Sequence, residues 1–474
     1  MPSRVRLARP DGGVIDAALS ELRESLGVPL AFPPPVVSEA EEAAGAPRLP
    51  PADETGVPLE TIDPPRSMDL DQALHVERRG AGYRVRYAIA DVAAFVRPGS
   101  ALDAEAHARG QTLYAPDTDA RLYPPALSEA AASLLPGEAR PALFWTMDLD
   151  GTGEVVDVDV RRAIVRSRRK LDYADVQAAL DGGTAGASLE LLREVGLLRL
   201  EREARHGGVD LPIPDQEVVA SDGGYRLEFR APLPVERWNA QISLMTGQAA
   251  AALMLGARVG VLRTLPRADG GALARLRRTA AALHVAWPDG LPYQDFIRTL
   301  DPALPAHAAV LAESTVLLRG SGYEAFDGAA PHEPRHAGVG APYAHATAPL
   351  RRLVDRYVGE ICVAVAAGRD VPAWVRAALP ALPETMEQSN RRAHQYEAGI
   401  VSIVEAAVLA GSVGRVFEAV VVEIDDDGDG GTVQLADPAV TARCTGTELP
   451  LGERVDVRLV LADVEARQVR FELA

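Results

Sequence analysis

The sequence is almost empty of lysine and cysteine. Of its 49 basic residues only Lys170 is a lysine. The remainder are arginines, whose planar fork suits bidentate contact with phosphate. The two cysteines, Cys362 and Cys444, lie far apart with no histidine beside them. That spacing excludes a disulfide framework and a cysteine-based zinc site. Long apolar runs are also missing. The best candidate, Ala249 to Leu262, is short and contains Arg258, so it reads as a core helix rather than a membrane span. Met1 to Gly13 lacks the apolar run of a signal peptide. The cytoplasm is the expected compartment, with no membrane partner. Positive charge is in deficit too, at a net −18. Any binding of a polyanion must therefore rest on a local basic groove and not on the average charge.

What is present is a chain of 474 residues with 47% hydrophobic and 24% charged residues, enough for two or three globular domains. Basic residues cluster at Arg161, Arg162, Arg166, Arg168, Arg169 and Lys170, at Arg351, Arg352 and Arg356, and at Arg391 and Arg392. Each cluster could face a polyanion or simply be solvated surface.

The pattern divides the chain into three parts. Residues 1–55 hold one amphipathic helix, Ile15 to Leu26, with Leu19, Leu22 and Leu26 at helical spacing. Pro33 to Pro35 stop it, and Glu39 to Pro51 reads as an exposed connector. A helix-turn-helix is the alternative for this part. Residues 56–407 open with strands. Tyr83, Val85, Tyr87 and Ile89 alternate with Arg84, Arg86 and Ala88, so Ala73 to Asp91 is expected to be a hairpin, with more strand over Glu154 to Arg168. Helices follow over Tyr173–Leu180, Leu189–Arg205, Val235–Leu262, Ala272–Leu283, Leu350–Ala367 and Glu384–Leu409. Strands followed by a helical majority indicate an α+β fold. Residues 408–474 carry short β runs between Gly and Asp turns, the spacing of a small OB-fold barrel. Within it, Asp425 to Gly430 matches the first half of a calcium loop, but Ala436 occupies the place of the required glutamate, so a hairpin turn is expected.

The informative segment is Thr61-Ile62-Asp63-Pro64-Pro65-Arg66-Ser67-Met68-Asp69-Leu70-Asp71-Gln72-Ala73-Leu74. Asp69 and Asp71 are two apart and face one side of an extended chain. Pro64 and Pro65 force a loop that can fold Asp63 back toward them. Crowded carboxylates repel unless a cation sits among them, and hard oxygen ligands select magnesium or manganese. Spacing alone leaves a solvated acidic turn as the other reading.

This segment resembles the catalytic signature of the ribonuclease II (RNB) family. Further motifs agree in order: Ile89-Ala90-Asp91-Val92; Leu102-Asp103 through Arg109-Gly110, then Tyr114 and Pro116; Leu127-Ser128 and Ser133-Leu134; His345 through Thr347-Ala348-Pro349-Leu350-Arg351-Arg352 with Asp355; and Arg391-Arg392 with Glu397. The resemblance implies an RNB catalytic domain, a mixed β-sheet packed with helices around a central RNA channel, followed by an RNA-binding OB barrel. It implies processive 3′→5′ hydrolysis of single-stranded RNA to nucleoside 5′-monophosphates by a monomer. It implies metal ligation by Asp63, Asp69 and Asp71, a catalytic arginine at Arg351, and Tyr114 at the 3′-terminal nucleotide. RNA contacts would come from Tyr114, Arg351, Arg352, Arg391, Arg392 and Glu397.

Two departures qualify these expectations. Gln72 stands where the family has a fourth aspartate; its oxygen can ligate magnesium but carries no charge, so weaker metal binding is expected. Residues 1–55 are too few for the two cold-shock barrels that often precede the domain. A more open entrance, admitting RNA with a 3′ overhang on a duplex, is the corresponding expectation. An RNA-binding regulator that keeps the fold without the catalysis is the alternative function.

Overall fold

In the computed structural model, residues 12–209, 211–221, 224–425 and 428–474 are described. Two closed five-stranded barrels are joined by helices, an α+β architecture. The first barrel runs in the order β1 (Leu59–Ile62), β2 (Gln72–Arg79), β3 (Gly82–Ala90), β4 (Ala139–Leu149) and β5 (Val155–Leu171). β1 closes the ring by pairing in parallel with β5, and the other neighbours are antiparallel. The expected hairpin is therefore β2 and β3. Gly80 takes φ +58° at its turn, and a Cβ on Gly82 would lie 1.9 Å from the Leu149 carbonyl oxygen, so the β3–β4 approach depends on glycine. Trp145, Tyr87 and Phe144 fill the core beneath.

The N-terminal part differs from expectation. α1 (Gly12–Leu26) forms as foreseen, but the segment read as a connector is also helical, α2 (Pro34–Gly45). Pro34 and Pro35 start that helix instead of stopping one. The first turn of a helix needs no N–H donors, and proline's fixed φ suits it. α1 packs on the long helix Leu382–Leu409, and α2 packs on α3 (Ala101–Arg109).

Next come α4 (Tyr173–Asp181), α5 (Ala187–Arg205), a hairpin of β6 (Asp215–Ser221) and β7 (Gly224–Arg230), and α6 (Pro234–Ala257). The hairpin was not expected from the sequence, although Tyr225, Leu227 and Phe229 alternate with Arg226, Glu228 and Arg230 in its second strand. α6 ends earlier than its apolar run: Arg258 adopts φ +57° as a left-handed cap. The remaining residues form β8 (Val259–Thr264), paired with β9 (Gly322–Asp327). No helix among the described residues is long and apolar enough to cross a membrane.

The C-terminal barrel consists of strands Val416–Ile424, Gly430–Leu435, Val440–Thr445, Arg454–Asp463 and Gln468–Leu473. Its order closes first to second to third to fifth to fourth, as in an OB-fold. Val440–Thr445 is the strand the sequence reading missed. The acidic run at 425–430 lies between the first two paired strands, although residues 426 and 427 fall outside the described set.

Candidate active site

The acidic segment joins β1 to β2, and its loop is pinned at several points. Asp63 donates its backbone N–H to Leu171 on β5 at 3.0 Å. The single lysine, Lys170, donates to the carbonyls of Pro65 (2.7 Å) and Ser67 (2.6 Å). Ser133 Oγ accepts from the Leu70 N–H and donates to the Met68 carbonyl. Loop carbonyls are thus held without drawing on the carboxylates.

Asp71 is buried. Its Oδ1 accepts the Leu350 N–H at 2.8 Å. Its Oδ2 receives no hydrogen bond and lies 3.6 Å from Arg351 Nε. Burial pushes its pKa up to about 8, against the opposing pull of Arg351 and the Leu350 N–H, with Asp69 adding to the rise. Asp63 is pushed up to about 6 by burial, again opposed by Arg351 and reinforced by Asp69. These acids are short of compensating positive charge, the condition a divalent cation would relieve. Asp69 Oδ2 accepts the Tyr114 hydroxyl at 2.8 Å. Among the described residues, no three His, Cys, Asp or Glu side chains converge as a ready-made metal cage. Magnesium commonly completes its shell with water and substrate phosphate, so one or two carboxylates suit it.

Arg351 and Tyr114 are carried by segments tied to each other. Thr112 N–H donates to the Arg351 carbonyl and Leu353 N–H to the Gly110 carbonyl, both at 3.0 Å. Gly110 takes φ +73°, and a Cβ there would come 2.6 Å from Ser389 Cβ, so α3 ends against the long helix only because the residue is glycine. Tyr114 is 46% exposed as a residue, and the Arg351 side chain is 42% exposed. Each is thus partly open to solvent while lying beside a carboxylate of the acidic segment, Tyr114 beside Asp69 and Arg351 beside Asp71.

The other candidates have different fates. Gln72 donates its amide N–H to the Thr347 carbonyl at 2.7 Å and accepts the Tyr87 hydroxyl; it links β2 to the arginine segment. Arg352 forms a fork with buried Asp355 at 2.8 and 2.7 Å, and Asp355 also accepts the Ala348 N–H. The fork makes Arg352 a brace of the segment. Arg356 pairs with Asp103 in the interior. Arg391 pairs with Glu387 on the exposed face of the long helix, and Arg392 is half-buried there. Glu397 is exposed beside His394 and lines, with Tyr114 and Asp119, a cavity of about 690 Å³.

The Arg161–Lys170 cluster is not a single basic patch. Arg161 pairs with Glu54 and Asp159, Arg162 with Asp91 and Glu360, and Arg169 with Glu60. Period-two alternation along β5 sends neighbours to opposite faces, which no count of charges reveals. Sequence reasoning also missed Tyr173 at the start of α4. Burial raises its pKa and the Asp63 charge raises it further, and its hydroxyl accepts from Asn239 at 3.1 Å. Its signal was available only as an aromatic shortly after a strand.

Comparison with known proteins gives the same picture by another route. Residues 53–367 match the RNB domain, and residues 415–474 match the RNase II-type exonuclease C-terminal S1 domain. Ribonuclease R of Aquifex aeolicus is 25% identical over 460 residues, covering 87% of this chain and 63% of that protein. The chain thus spans less than two thirds of that relative's length. The apo form of Mycoplasma genitalium RNase R superposes with a TM-score of 0.84 at 18% identity, over 97% of this chain and 78% of that one. Yeast Ssd1, described as a pseudonuclease, superposes with a TM-score of 0.71 at 14% identity, over 94% of this chain and 57% of that one. Likeness at these identities speaks for the fold.

Proposed function

The chain belongs to the RNB family, and from that premise we propose that it is a 3′→5′ exoribonuclease that degrades single-stranded RNA processively to nucleoside 5′-monophosphates. The observation that carries the proposal is the Asp71 carboxylate, buried between the Leu350 N–H and the Arg351 guanidinium, with Asp63, Asp69 and Tyr114 around it.

In this reading residues 56–407 are the catalytic part and 408–474 an RNA-binding barrel. Asp63, Asp69 and Asp71 would hold a divalent cation, magnesium in the first instance, with manganese able to replace it. When bound, such a cation acidifies a water and neutralises charge on a phosphate. Arg351 has one face toward Asp71 and the other open, so its guanidinium can stabilise the additional charge of the scissile phosphate in the transition state. Tyr114 offers an open ring for stacking the terminal base, which tolerates any sequence. Its hydroxyl, donated to Asp69, fixes the orientation of that carboxylate. The Leu350 N–H opposes the rise that burial imposes on Asp71, without cancelling it, and fixes that carboxyl in place. Glu397, Arg391 and Arg392 are assigned to the path of the RNA along the long helix. The enzyme is taken to act as a monomer in the cytoplasm, on single strands and on duplexes with a 3′ overhang.

A second reading, an RNA-binding regulator, draws on Gln72, which removes one charge from the acidic set. The test is a time course with 5′-labelled single-stranded RNA and magnesium, with and without EDTA. The proposal expects shortening from the 3′ end to a small labelled product, stopped by EDTA. Intact RNA that is shifted on a native gel would establish the regulator instead.

A further inference from the structure

The helix α6 has two faces with different surroundings. One carries Ser243, 2.5 Å from Thr347 Oγ1 beside the arginine segment. The opposite face, at helical spacing through Met245, Gln248, Ala249 and Ala252, lines a groove of about 690 Å³. Leu253 and Leu255 of the same helix and Val155, Val158, Pro342 and Val365 from other elements give the groove aliphatic walls, with Glu154, Arg199 and Arg202 as its charged residues.

Arg199 of α5 lines this groove and is only 3% exposed. Both of its hydrogen-bond partners are neutral: Nη1 donates to the Gly153 carbonyl at 3.2 Å, and Nη2 to Gln248 Oε1 at 2.5 Å. Its Nε has no partner. Glu203, one turn along the same helix, acts on it through space while accepting from Gln241. Desolvation pulls the guanidinium down to about 10, so it is still charged at neutral pH. A buried, charged guanidinium with neutral partners and an idle N–H is incompletely compensated. Arg202 at the same groove is paired with Glu154, which leaves Arg199 as the group that seeks an anion.

We propose that this groove is a binding site for a free alkyl carboxylate, with the carboxylate on Arg199 and the chain along the aliphatic walls. A carboxylate is the charge partner that a guanidinium bonded only to neutral acceptors lacks, and hydrogen bonds between charged groups are the stronger kind. Aliphatic walls favour an alkyl chain over a nucleobase, which would call for an aromatic stacking partner. The site is independent of the proposed nuclease activity, since none of its lining residues belongs to the acidic corner.

The test is titration calorimetry of the full chain with decanoate, using decanol and acetate as controls. Saturable one-to-one binding of decanoate is expected, with decanol and acetate each about tenfold weaker or more. Arg199→Met should weaken decanoate about tenfold. Ala252→Trp, at an exposed position on the groove wall, should block the chain while leaving Arg199 in place, and it decides the matter if Arg199→Met fails to fold. Decanol binding as tightly as decanoate, decanoate binding unchanged by Ala252→Trp, or the absence of saturable binding would each overturn the assignment.

Discussion

Asp71 is held where a carboxylate is least comfortable: buried, near other acids, with one oxygen lacking a hydrogen bond. Arg351 is the nearest compensation, and under the proposed activity its exposed part has a second task on substrate. Arg351→Ala should therefore lower kcat by about 10²–10³, measured under saturating RNA, with a smaller change in RNA affinity. Equal loss of both would make Arg351 a binding residue only. Gln72 was legible in the sequence as a missing charge but not as a tie. The structure shows its amide donating to the Thr347 carbonyl, a bond that a carboxylate cannot make. Gln72→Asp is expected to lower the magnesium concentration for half-maximal cleavage and to lower stability by about 1 kcal/mol through the lost bond. A metal titration unchanged from the parent would show that position 72 is outside the ion's reach. Arg352 shows the limit of motif reading: adjacent arginines look equivalent in sequence, yet the Asp355 fork occupies one and leaves the other facing Asp71.

At the scale of elements, α1 is bound to the loop that carries Tyr114. Arg23 forks onto Asp117 at 3.0 and 2.8 Å and reaches the Tyr396 hydroxyl at 3.3 Å. Leu22 packs against Gly399, where a Cβ would intrude to 2.7 Å. Arg23→Met should loosen residues 115–120 and lower kcat several-fold; Arg23→Lys should restore part of it. No change in kcat would reduce α1 to a purely stabilising element. The helix itself was plain from Leu19 and Leu22, but its partner was not, because sequence periodicity marks a buried face without naming what covers it. In the hairpin β6–β7 only the second strand alternates cleanly, Tyr225, Leu227 and Phe229 against Arg226, Glu228 and Arg230, while the first, Asp215–Ser221, does not. The segment between β9 and Arg351 holds His336, which accepts the Val339 N–H at Nδ1 (3.3 Å) and meets Tyr343 edge-on. Burial, then Arg263, pushes it down to about 4 from 6.5. An unfolded chain takes up this proton below about 6.5, whereas the folded one resists until about 4. Stability is therefore complete above pH 6.5 and falls as pH drops through that window. The fall in Tm between pH 7 and pH 4.5 should be smaller in His336→Phe than in the parent. An identical fall would exclude His336 as a contributor.

For the whole molecule, the order of a β-rich start, a helical middle and a C-terminal barrel was readable, whereas the first sheet was expected as a mixed sheet and is a closed barrel. Alternation gave β2 and β3, Gly and Asp turns gave the C-terminal barrel, and ordered motifs gave the acidic corner. Closure was not readable, because the parallel pairing of β1 with β5 joins residues more than a hundred positions apart. Nor was the distribution of charge: a net −18 coexists with arginines that are mostly matched to acids in β5 and around the Asp355 fork, leaving Arg351 as the cation that faces the carboxylates. The central claim is that Asp71 serves the reaction and not the fold or the grip on RNA. Asp71→Asn, nearly isosteric and able to keep the Leu350 bond, tests it most directly on 5′-labelled single-stranded RNA with magnesium. Cleavage should vanish while the native-gel affinity for RNA and the Tm stay close to those of the parent. Cleavage persisting in the variant, or cleavage and RNA affinity lost together, would contradict the account.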